Sequence, residues 1–148
     1  MIVSIDELQI DLFNRFKKTN GAEFGITKID FPLKTEKLSL YLEHYRAPEI
    51  IYKISFEKIL SYVVSQDYLQ ENNIKDVTYS KDFSSAILKQ LDGTKYMDYL
   101  NTWTDLKIFF EGEALTAIKQ YAVYSQNVMI DIITNKVPII EIILGDEL

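Results

Sequence analysis

The chain has 148 residues, 47% of them hydrophobic and 13% aromatic, with only 5 Gly and 3 Pro, which is the make-up of one ordered domain rather than a disordered tract. It has no Cys and a single His, so a disulfide framework, a thiolate metal site and a cysteine nucleophile are excluded together. The formal charge of −6 disfavours nucleic acid as the partner and favours the basic surface of another protein.

Acids at Asp6, Glu7 and Asp11 break any secretory signal pattern, and no apolar run has the length of a membrane helix. A cytoplasmic chain with no membrane partner is therefore expected. Basic residues are almost all Lys, with Arg at 15 and 46 only.

Ser4 with Glu7 three positions later fits a capping box. Ile5, Leu8, Leu12, Phe13 and Phe16 follow helical spacing, so a helix is expected over 4–18, ended by Asn20-Gly21. Leu8, Ile10 and Leu12 also alternate, which keeps a strand open as the alternative.

A short β run over 26–31 follows, closed by Phe31-Pro32. Leu38, Leu40 and Leu42 alternate with Ser39, Tyr41 and Glu43, the pattern of a half-buried strand. Arg46-Ala47-Pro48 signals a turn, and Ile50, Tyr52, Ile54 and Phe56 alternate beyond it. With a third run at 59–64, this predicts an antiparallel meander. Residues 65–76 read as a loop, with a short extended piece near 77–79.

Ser80 or Asp82 could cap a helix carrying Phe83, Ile87 and Leu91, stopped at Gly93. A second short helix is expected over Thr94–Leu100. Then come an ambiguous stretch from Trp103 to Phe110 and a break at Glu111-Gly112-Glu113. A strand from Ile118 to Ser125 and one from Val128 to Ile133 form a hairpin around Gln126-Asn127. Asn135-Lys136 turns the chain into a final strand from Pro138 to Leu144. The predicted fold is thus one α+β domain over 1–148. It is a mostly antiparallel sheet, made of an N-terminal meander and a C-terminal hairpin and strand. An N-terminal helix and one or two helices inserted in the middle complete it.

Chemistry is harder to find. His44, the only histidine, ends the Leu38/Leu40/Leu42 face, and Glu43 beside it points the other way. A satisfied core or edge histidine is the simpler reading. The pairs Asp6/Glu7, Glu111/Glu113 and Asp146/Glu147 show no sign of the burial that general acid–base work needs. Asp105-Leu106-Lys107 loosely resembles the D-x-K strand of metal-dependent nucleases, which offers a divalent-metal hydrolase as an alternative. No G-x-G-x-x-G, P-loop or G-x-S-x-G motif occurs. No catalytic, cofactor or metal residue is assigned. Trp103, Asp105, Phe109, Phe110, Glu111 and Glu113 form an aromatic and acidic cluster, the candidate surface for a protein partner.

Three stretches carry a resemblance. They are Ile54 to Tyr62, with its Phe-x-x-apolar-x-x-Tyr spacing, Thr94 to Leu100, and the hairpin from Tyr121-Ala122-Val123-Tyr124 through Ile130-Asp131-Ile132-Ile133 to Pro138. Together they resemble a loose group of small bacterial proteins, some similar to the immunity proteins of toxin systems. The resemblance implies a cytoplasmic, non-enzymatic inhibitor that binds a basic toxin. A phage-type or structural accessory protein acting by oligomerisation is the remaining alternative, and the oligomeric state is open.

Overall fold

The computed structural model of the chain describes residues 1–17, 23–66, 78–84, 87–92 and 118–145, with the backbone alone at 66, 78–84 and 92. One helix and ten strands are described: β1 Ile2–Val3, α1 Ile5–Phe16, β2 Phe24–Asp30, β3 Leu38–His44, β4 Ala47–Phe56, β5 Ile59–Gln66, β6 Thr78–Ser84, β7 Leu88–Asp92, β8 Lys119–Tyr124, β9 Val128–Thr134 and β10 Ile139–Leu144. They form two five-stranded sheets, ordered β1-β10-β4-β3-β2 and β5-β9-β8-β7-β6, with every described pairing antiparallel.

The expected helix forms, and its start is the capping box read from the sequence. The Glu7 N–H donates to Ser4 Oγ, and the Ser4 N–H donates to Glu7 Oε1, both at 3.1 Å. This satisfies two of the amides that a helix N-terminus leaves unpaired. Leu8, Leu12 and Phe16 lie one helical turn apart and all are buried. The helix lies against β1 and β6 and reaches His44 and Phe24 at its far end, so it fills the space beside the inner face of the first sheet.

One core serves both sheets. Leu38, Leu40 and Leu42 of β3, Tyr52, Ile54 and Phe56 of β4, and Ile140 and Ile142 of β10 meet Leu88, Tyr121, Val123, Ile130 and Ile132 of the second sheet. Phe56 and Tyr121 touch across the interior, with ring centroids 5.8 Å apart. Period-2 alternation places each of these side chains on the inner face.

Two expectations need correction. β2, β3 and β4 form a meander, but β5 does not extend it. The chain turns at Lys58, which takes a positive φ of 48°, and β5 joins the second sheet beside β9. Thr134 Oγ1 braces this corner by donating to the Glu57 carbonyl at 2.6 Å. The helix expected around Phe83, Ile87 and Leu91 is instead the strand pair β6 and β7. The pairing slips between Tyr79 and Lys81 and again between Asp82 and Ser84, and such bulges erase the period-2 signature. The final strand forms where it is expected, over Ile139–Leu144. β10 returns to the first sheet between β4 and the short β1, which the sequence reading missed. The helix expected over 94–100 lies outside the described residues.

Candidate functional site

Among the described residues, a dense cluster of polar and aromatic groups lies where α1 ends beside the β3–β4 turn. Phe16 stacks on His44 with ring centroids 3.9 Å apart and planes 9° off parallel. Tyr45 stacks on His44 at 4.8 Å, and Phe24 meets Phe16 and His44 edge-on at 6.0 and 5.0 Å. His44 is fully buried, as the simpler reading of it required. Its Nδ1 accepts the Arg46 N–H at 3.0 Å, so the ring proton sits on Nε2 and is donated to Glu23 Oε2 at 3.0 Å. Both ring nitrogens are therefore occupied, and the imidazole holds the turn rather than serving as a free base or ligand. Glu23 is its carboxylate partner; Glu43 is not.

A second chain of bonds runs beside the first. Tyr52 donates its hydroxyl to Asp11 Oδ2 at 2.9 Å, while Arg15 Nε lies 2.9 and 3.1 Å from the two Asp11 oxygens. Burial, and then the bond to Asp11, raise the Tyr52 phenol well above its ordinary value. Arg15 and Arg46, the two arginines of the chain, then face one shallow cleft of about 290 Å³ lined by Arg15, Phe16, Arg46, Ala47, Glu49 and Ile50. The Arg46 guanidinium lies 5.8 Å from the Phe16 ring centre and 5.7 Å from that of Tyr45. The sequence singled out these arginines only by their scarcity; their meeting depends on α1 ending against the β3–β4 turn.

The outer face of the first sheet is the other notable surface. Tyr41 sits between Lys28 and Lys53, whose ammonium groups lie 5.3 and 5.5 Å from its ring centre. Across the register from Tyr41 follow Lys53, Glu141 and Ile2. Ile51, Ile139 and Ile143 occupy the same face half-buried, while Ile2 is 72% exposed. Ser39 and Ser55 bond to each other beneath them at 3.0 Å.

On the outer face of the second sheet, burial pushes the Asp131 carboxyl up to about 6, partly offset by the bond it accepts from Gln120 Nε2 at 3.0 Å. Among the described residues no group of acids and histidine is arranged to hold a metal ion. Glu7 of the Asp6/Glu7 pair is a helix cap. Trp103, Asp105, Lys107, Phe109, Phe110, Glu111, Glu113, Asp146 and Glu147 lie outside the described residues. Comparison with protein-family models, with curated proteins and with solved structures finds no match for this chain.

Proposed function

We propose that this domain is a protein-binding module that recognises a basic partner through the outer face of its first sheet, in the manner of an immunity-type inhibitor. The observation that carries this reading is the composition of that face. An antiparallel sheet with one face on the core ordinarily turns polar residues outward. Here Ile2, Ile51, Ile139 and Ile143 point outward around Tyr41. A group of outward apolar side chains with an amphipathic aromatic among them is the make-up of an interface centre. The net charge of −6 would steer a basic partner to the domain and make association fast and salt-sensitive.

The test is co-purification with a basic protein encoded beside this chain's gene, comparing the parent with Tyr41→Ala and with Ile51→Lys. The expected result is a complex that weakens with salt and is lost in both variants. Its persistence in both variants would overturn the assignment of this face. Failure of any neighbouring product to bind, together with self-association in light scattering, would favour an oligomerising accessory role instead.

A further inference from the structure

We propose that the cleft between the last turn of α1 and the β3–β4 turn binds a single carboxylate carried on an apolar body, with Arg46 as its main ligand. This site shares no residue with the outer sheet face and does not depend on the docking reading. The chain uses Lys for nearly all its positive charge, yet both of its arginines line this one cleft. Arginine offers a planar fork of donors that matches a carboxylate edge, which an ammonium group cannot do.

Arg46 is exposed, and among the described residues it has no ion-pair partner. Its backbone is nevertheless held in place. The Arg46 N–H is tied to His44 Nδ1, and His44 is tied through Nε2 to Glu23. The guanidinium also lies over Phe16 and Tyr45. A cation held this way loses little freedom when an anion arrives. Arg15 is oriented by Asp11 through Nε.

Charge and shape narrow the ligand. Asp11 pairs with Arg15, and the Glu49 carboxylate lines the same cleft as Arg46. The surroundings can thus accept one negative charge in a bidentate bond, but they oppose a phosphate dianion. Phe16, Ala47 and Ile50 supply an apolar wall. A cleft of about 290 Å³ is at the small end for ligand sites, so it suits a group the size of one amino-acid side chain.

The test is a titration of the full chain followed by backbone amide NMR. The probes are 3-phenylpropionate, its neutral amide, inorganic phosphate, and a short peptide ending in leucine with a free or an amidated terminus. Saturable shifts at Arg46, Ala47 and Phe16 are expected with 3-phenylpropionate, and binding about tenfold weaker with the amide. Tighter binding of the free-ended peptide than of 3-phenylpropionate would assign the site to chain termini; the reverse order would assign it to a small carboxylate. Arg46→Gln should abolish the shifts, and Arg46→Lys should weaken binding while leaving the thermal midpoint unchanged. Equal binding of acid and amide, tighter binding of phosphate, or unaltered affinity in both folded Arg46 variants would each overturn the proposal.

Discussion

The side-chain amide of Asn127 pairs with the backbone of Ile26 as a neighbouring strand would. Asn127 Oδ1 accepts the Ile26 N–H and Asn127 Nδ2 donates to the Ile26 carbonyl, both at 3.2 Å. The Gln126 N–H adds a 2.7 Å bond to the Phe24 carbonyl. The β8–β9 turn of the second sheet thereby covers part of the β2 edge of the first. An uncovered edge is a template for another chain, so this contact both joins the sheets and guards an edge.

Asn127→Ala should therefore lower stability by about 1 kcal/mol, because both Ile26 groups remain within reach of water. It should also raise concentration-dependent association. Thermal unfolding and sedimentation at several concentrations check the two effects. A variant that is less stable but strictly monomeric at high concentration would show that the edge is guarded by other means.

Asp131 predicts a pH dependence. In the unfolded chain its carboxyl titrates near 3.8, and in the fold at about 6. Below the lower value both states are protonated, so the group adds no pH dependence. Between the two values the native state keeps a proton that the unfolded chain has given up, so stability falls as pH rises from about 4 to about 6, by about 3 kcal/mol at most, and is level above that. Asp131→Asn keeps an oxygen to accept the Gln120 bond and removes the charge. It should be more stable than the parent at pH 7 and flat between pH 4 and 6. Urea unfolding across that range measures both, and an unchanged slope in the variant would place the dependence elsewhere.

His44→Phe isolates the hydrogen bonds of the buried imidazole from its ring stacking. The new ring can keep the contact with Phe16, but the Arg46 N–H and the Glu23 carboxylate lose their partner. The expected loss is about 1–3 kcal/mol. Chemical denaturation gives the value. A loss within error of zero would mean that solvent replaces both bonds, and that the stack alone holds the turn.

Tyr52 and Tyr121 both have raised phenol values, Tyr52 by burial and then its bond to Asp11, Tyr121 by burial. A raised value means that stability is complete below pH 10 and declines as the solution passes the ordinary phenol range. Tyr52→Phe should cost about 1 kcal/mol at pH 7 through the lost bond. It should also soften the loss of stability above pH 10. Absorbance titration of the phenolates in parent and variant follows the alkaline limb. A limb unchanged by the substitution would exclude Tyr52 as its source.

The α+β class and most elements were legible because local chemistry declares them. Ser4 and Glu7 announce a helix start, and Leu38, Leu40 and Leu42 announce a buried strand face. Sheet membership was not legible, since β4 and β5 carry the same alternation and only the corner at Lys58 separates them. The strands β6 and β7 were misread because two register slips break their alternation, while Phe83, Ile87 and Leu91 stand four apart in the sequence, a spacing that a helix shares. The cleft failed for another reason. Glu23, His44 and Arg46, and Asp11, Arg15 and Tyr52, are joined by tertiary geometry, and no sequence spacing encodes that.

Sheet membership also governs how this chain must come off the ribosome. β4 has β3 on one side from early on, but its other neighbour is β10, and β10 is in turn flanked by β1. The start of the chain is tied to β10 across 141 positions, with the Met1 amino group donating to the Ile142 carbonyl and the Ile142 N–H donating to the Met1 carbonyl. A nascent chain therefore carries β4 as an unpaired edge, lined with Ile50, Tyr52, Ile54 and Phe56, until residues 139–144 emerge. Topology of such high contact order folds slowly. The interval before β10 docks is then the time when this protein is most exposed to aggregation and most in need of a chaperone.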